Sequence, residues 1–182
     1  MRRQTALQST SIGPRWVSTP ANIGHARTSG VELEAKFQLA EVLAGAPDLD
    51  LRANYSRYWS SVDDIPGPNN RLERQARQTA NFGLDYRVKN APLTVGGNVN
   101  WTPPIVVQSS VAELYTTGMK RQLDLYGLWK FSANTQLRIS GNNLLPRRYE
   151  TARVVDLGDL VQALDTSVRT YSTLGVRLEL KI

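Results

Sequence analysis

The sequence predicts an all-β protein: an antiparallel, up-and-down meander of about eight long strands that forms a partial transmembrane β-barrel. Three observations lead there. Seven segments alternate apolar and polar residues, as strands with one apolar face do. The segments are long, from nine residues (135–143) to thirteen (27–39). Crossing an apolar band about 25 Å tall at a tilt near 40° takes roughly 10 residues, whereas ordinary strands cluster near about 5–6. Finally, the connections are short or moderate on one edge and long on the other, the arrangement of outer-membrane barrels.

The elements follow in order. An eighth strand is expected near Ile12 to Ser18, where Pro14 interrupts the pattern. Segment 27–39 points Val31, Leu33, Ala35, Phe37 and Leu39 outward, and Glu32, Glu34, Lys36 and Gln38 inward. Segment 49–60 sets Leu49, Leu51, Ala53, Tyr55 and Trp59 against Asp50, Arg52, Asn54 and Ser56. In 78–88, Ala80, Phe82, Leu84, Tyr86 and Val88 oppose Asn81, Gly83, Asp85 and Arg87. Segment 93–102 places Leu93, Val95, Val99 and Trp101 against Thr94, Gly96, Asn98 and Asn100. Leu123, Leu125, Trp129 and Phe131 alternate with Gln122, Asp124, Tyr126 and Lys130 in 120–131; Leu137 and Ile139 do so with Gln136, Arg138, Ser140 and Asn142 in 135–143. The last segment, 171–182, turns Leu174, Val176, Leu178, Leu180 and Ile182 to one side and Thr173, Gly175, Arg177, Glu179 and Lys181 to the other. Links at 40–48, 89–92 and 132–134 lie on the short edge. Those at 61–77, 103–119 and 145–169 are long, and the short link at 19–26 shares their edge. Trp59, Trp101, Trp129, Phe131 and Tyr86 fall near the ends of outward faces, where interfacial girdles place aromatics.

Composition narrows the classes. The chain of 182 residues is 41% hydrophobic, yet its mean hydropathy is −0.36, and no stretch approaches the roughly 20 apolar residues of a spanning helix. Transmembrane strands escape such a scan because alternation averages out. There is no cysteine, which excludes a disulfide framework and thiolate metal sites. The net charge of +6 is scattered among acidic residues, so nucleic acid is not an expected partner. The start, M-R-R-Q-T-A-L-Q-S-T, has no apolar run after its arginines and is not a secretory signal. The chain reads as a piece of something larger.

The inward set carries both signs of charge, which fits a hydrated lumen or the solvent face of a half-exposed sheet and not a dry core. No catalytic constellation stands out. His25, the single histidine, lies in a turn-like N-I-G-H stretch without a carboxylate pair at metal-ligand spacing. G-x-S-x-G, P-loop and G-x-G-x-x-G motifs are absent. Neither an enzyme, a metal nor a cofactor is therefore expected. The loops offer the ligand surface. Arg71, Arg74 and Arg77 on one, and Arg147, Arg148 and Arg153 on another, are candidates for an anionic ligand or for lipopolysaccharide phosphates.

Several stretches carry a resemblance. W-V-S-T-P-A-N-I-G-H-A-R-T-S-G-V-E-L-E at 16–34, L-R-A-N-Y-S at 51–56, R-Q-T-A-N-F-G-L-D-Y at 77–86 and L-R-I-S-G-N-N-L-L-P-R-R-Y at 137–149 resemble TonB-dependent outer-membrane receptors. Asn143, Leu144 and Tyr149 match that family's N-L-x(4)-Y stretch. The terminal strand is similar to its barrel-assembly signal through Thr173, Gly175, Leu178 and Leu180, with Ile182 where an aromatic is usual.

The resemblance implies energised uptake of a scarce ligand, commonly a ferric siderophore and in some members cobalamin or a carbohydrate. It implies a Gram-negative outer membrane, with lipid, lipopolysaccharide and the barrel-assembly machinery as partners. The family has a 22-stranded barrel, a plug and a TonB box. Residues 1–182 are expected to be the C-terminal part of such a barrel, lacking plug, box and signal. The TonB complex would engage it only through the missing plug, so alone it is not expected to transport. Two other readings are a self-contained eight-stranded barrel, which needs residues 10–18 to pair with 170–182, and a soluble β-sandwich binding module.

Overall fold

The computed structural model describes residues 2–10, 13–21 and 24–181, with side-chain surroundings for Val17 and for 24–181. In chain order the strands are β1 (Arg2–Thr10), β2 (Gly13–Ala21), β3 (Ala26–Gln38), β4 (Leu49–Val62), β5 (Gln78–Arg87), β6 (Leu93–Thr102), β7 (Ile105–Ser110), β8 (Glu113–Thr117), β9 (Lys120–Lys130), β10 (Thr135–Asn142), β11 (Arg148–Asp156), β12 (Val161–Arg169) and β13 (Thr173–Leu180). One helical turn, α1 (Leu39–Val42), lies between β3 and β4.

Each of the seven alternating segments becomes a strand of one sheet, ordered β13-β10-β9-β6-β5-β4-β3, with every neighbour antiparallel. Register keeps the apolar residues on one face across the sheet. Phe37 opposes Leu51, which opposes Leu84; Phe82 opposes Val99, which opposes Leu123; and Leu137 lies between Trp129 and Leu178. This face is uncovered: Leu33 is 61% exposed, Leu174 84% and Val176 73%. A β-sandwich would bury these side chains against a second sheet. Their exposure in every wall strand fits a lipid-facing surface and removes the soluble sandwich reading.

The buried aliphatics among the described residues are Val62, Ile65, Val107 and Val155. Val62 ends β4, and the other three lie beyond the wall on the long-loop side, where the segment after β4 docks on β7 through Gln108 N donating to Asn69 O at 2.7 Å.

Three features differ from the sequence expectation. First, the long links 103–119 and 145–169 are not irregular loops. They fold as the hairpins β7–β8 and β11–β12, which pair with each other in a four-stranded sheet, β12-β11-β8-β7. Second, a strand does form at Gly13–Ala21, but it pairs with β1 in a separate two-stranded sheet; Ile12 lies outside the described residues. The wall therefore has seven strands among the described residues. Third, among the described residues β13 pairs only with β10, and β3 only with β4. Among the described residues, the pairing of 10–18 with 170–182 that a closed eight-stranded barrel requires is not made. Prolines at 14 and 20 explain part of this, since each lacks the amide a central strand must donate.

Candidate functional site

The inward face is built by the same registers. One line of carboxamides crosses four strands: Asn54 opposes Asn81, which opposes Asn100, which opposes Gln122. A charged line lies nearer the short-turn end. Arg52 Nη2 is 2.8 Å from Asp85 Oδ2, Tyr126 OH donates to Asp85 Oδ1 at 2.5 Å, and the Arg138 guanidinium stacks 3.9 Å from the Tyr126 ring. Asp85 and Tyr126 belong to β5 and β9 and meet across β6 because Gly96 stands between them. A Cβ at Gly96 would lie 2.3 Å from Asp85 Oδ1 and 2.6 Å from Tyr126 Cε1. Gly96→Ala is therefore expected to part this pair and destabilise the folded protein by about 2 kcal/mol, read as a lower urea midpoint after refolding into vesicles. An unchanged midpoint would show that Asp85 and Tyr126 do not depend on the gap. At the short-turn end, Arg87 bridges Asp48 at 2.6 Å and Asp50 at 2.5 Å. Hydrated, mixed charge of this kind suits a water-filled interior and not a packed core.

The six candidate arginines separate into different roles. Arg71 is buried and its Nη2 donates to Tyr58 O at 2.8 Å; burial first, then Arg77, pushes its guanidinium below the usual value. It holds the loop to β4. Arg77 donates to Asn69 Oδ1 at 3.4 Å. Arg74, in the left-handed region at φ 60, shares a recess of about 190 Å³ with Arg153, Glu73, Glu113 and Tyr115. Arg153 is committed there: its Nε and Nη2 donate to Glu113 at 2.7 and 2.9 Å, and this hydrogen bonding raises its pKa despite partial burial. The structure thus joins one arginine from each candidate loop, but a carboxylate already takes one of them. Arg148 is exposed and opposes Arg169 on β12.

Arg147 is exposed. With Lys120, Arg121, Asn100, Gln122 and Tyr149 it lines a recess of about 280 Å³ at the long-loop end of the wall. Lys120 Nζ sits 4.8 Å from the Tyr149 ring, and Arg147 N donates to Thr170 Oγ1 at 3.0 Å. Lys120 and Arg121 were not among the candidates. Their signal was the paired basic residues opening segment 120–131 directly after a long link.

Asn143, which also lines this recess, ties β9 and the end of β10 to the segment before β13. It adopts φ 51, its amide N donates to Asp124 Oδ1 at 2.7 Å, its Nδ2 donates to Tyr171 O at 3.0 Å, and its carbonyl accepts from Ser172 Oγ at 2.8 Å. Leu144 N donates to Leu123 O at 2.8 Å. Of the residues compared with an assembly signal, Thr173 opposes Asn142, Gly175 opposes Ser140, Leu178 opposes Leu137 and Leu180 opposes Thr135, all on the edge strand β13. Ile182 lies outside the described residues. His25 is exposed, and no group of metal-binding side chains converges among the described residues.

Comparison with curated proteins and with solved structures finds no match. A family model described as TonB dependent receptor-like, beta-barrel, matches residues 2–144, which takes in β1 through β10 and the Asn143 clamp. An open antiparallel wall, apolar outside and hydrated within, is what such a domain requires, and the chain belongs to the TonB-dependent receptor β-barrel family of outer-membrane transport receptors, which are not enzymes.

Proposed function

We infer that residues 1–182 form the C-terminal part of the barrel wall of a receptor that imports a ferric siderophore across a Gram-negative outer membrane. The observation that carries the reading is the basic recess at the long-loop end, where Lys120 and Arg147 converge beside Tyr149 and above the inward carboxamides. Cations beside an aromatic suit an anionic, ring-bearing chelate through charge-assisted hydrogen bonds and stacking. Support for a place in a wider cylinder comes from the sheet edges, since β3 and β13 each have one strand partner among the described residues. Open edges are paired in a finished barrel. The remaining strands, a plug and, through it, the TonB complex complete the transporter; the barrel-assembly machinery reads the terminal strand at Thr173, Gly175, Leu178, Leu180 and Ile182. This part alone does not transport.

A second reading draws on the carboxamide line Asn54–Asn81–Asn100–Gln122. Neutral donors and acceptors in a row suit a hydroxyl-rich carbohydrate. One experiment separates the two. A strain lacking the receptor and carrying the full gene is grown on ferric siderophores or on oligosaccharides as sole source. Restored growth on a ferric siderophore is expected, with Lys120→Glu plus Arg147→Glu raising the concentration required by about tenfold. Rescue on an oligosaccharide alone would overturn the siderophore assignment, and uptake by cells expressing only residues 1–182 would overturn the partial-wall assignment.

A further inference from the structure

The outward face carries a dent. Gly97, Gly127 and Gly141 sit on it in the adjacent strands β6, β9 and β10. Gly97 and Gly141 both oppose Leu125, and Gly127 lies one pair along, between Val95 and Ile139. Surrounding these positions, Phe82, Val99, Leu123 and Leu174 wall a cavity of about 660 Å³ lined almost entirely by carbon. In a membrane such a furrow is filled by something apolar and elongated.

What lies above the furrow selects the occupant. Two residues beyond Val99 and Leu123, Trp101 and Arg121 oppose each other across β6 and β9, and Arg121 is exposed. At about 3.3 Å per residue, the four steps from Gly97 to Trp101 put this pair about 13 Å along the strand from the furrow floor. A second exposed guanidinium, Arg57, lies on the same face of β4 with its carbon 5.2 Å from the Trp59 ring centroid. Three strand spacings separate β4 from β9, about 14 Å. An apolar slot topped by two spaced cations at the depth of the aromatic girdle is complementary to a lipid bearing a phosphate at each end of a sugar headgroup.

We propose that the furrow seats an acyl chain of lipid A, with Arg121 and Arg57 receiving its phosphates. The proposal rests on the outer-membrane placement of the wall and adds a specific lipid site to it. Gly127 is the place to test it, because a Cβ there meets only Leu93 Cδ1, at 4.0 Å. A larger side chain fills the furrow without displacing its walls.

The protein is purified in detergent from its own membrane, titrated with lipid A and observed by native mass spectrometry. Gly127→Leu and Arg121→Gln are each expected to lower lipid A occupancy about tenfold. Lipid A stripped of phosphates should bind the wild type as weakly as lipid A binds Arg121→Gln. Heat-dependent gel mobility verifies that each variant is folded. Equal occupancy in wild type and Gly127→Leu would overturn the site. Equal occupancy by phosphatidylglycerol and lipid A would overturn the choice of lipid. Recovery of the wild type outside the outer-membrane fraction would instead sink the placement on which the proposal stands.

Discussion

Leu125→Arg is expected to lower the fraction that assembles into the membrane, whereas Asn98→Arg should assemble normally. The two positions lie on neighbouring strands but on opposite faces. Leu125 is 48% exposed on the apolar side at mid-strand. Asn98 faces inward, opposite Gly83 and Asp124. Arginine at mid-membrane on a lipid-facing strand costs about 2–4 kcal/mol, while lumen positions accept charge. Against a typical total stability of about 5–15 kcal/mol, such a loss on one face alone is a large fraction of what holds the wall folded. The measurement is the folded, heat-modifiable fraction after refolding into vesicles. If both variants assemble equally well, the assignment of the apolar face to lipid is wrong.

Asn143→Ala is expected to lower stability by about 2–3 kcal/mol. Part is conformational: Asn143 has φ 51, and a left-handed backbone costs an ordinary L-residue about 1–2 kcal/mol that asparagine and glycine largely escape. The rest is the lost bond from Nδ2 to Tyr171 O, about 1 kcal/mol net. Asn143→Gly isolates the second contribution, since glycine accepts the same backbone, and it should lose only about 1 kcal/mol. Urea unfolding in vesicles reads both. Equal losses for alanine and glycine would mean that the backbone conformation contributes nothing.

Alternation made the wall legible because the contrast between lipid and water is imposed on every second residue. Segments 27–39, 49–60, 78–88, 93–102, 120–131, 135–143 and 171–182 correspond to β3, β4, β5, β6, β9, β10 and β13 within a few residues at either end. The hairpins β7–β8 and β11–β12 were hidden for the opposite reason. They stand beyond the wall, both faces are mixed, and strand β12, V-Q-A-L-D-T-S-V-R, is exposed throughout. Pro103 and Pro104 also read as loop punctuation, although β7 begins immediately after them.

Loop position named six arginines as candidates, but it could not tell that Arg153 would be taken by Glu113 or that Arg71 would be buried on a backbone carbonyl. Those outcomes depend on which hairpin meets which loop. The roles of Gly96 and Gly127 were equally invisible. Each is defined by residues on neighbouring strands, and pattern along one strand carries no register between strands.

The two outer hairpins change what binding would demand of this receptor. Fixing one residue's backbone costs about 1–2 kcal/mol, so a ligand that had to order a slack loop would surrender much of its affinity. Here the backbone of Ile105–Thr117 is largely held in a ladder that is itself docked on the segment after β4. A ligand bound at this rim would fit against a ready-made shape, with entropy lost during folding and not at the encounter.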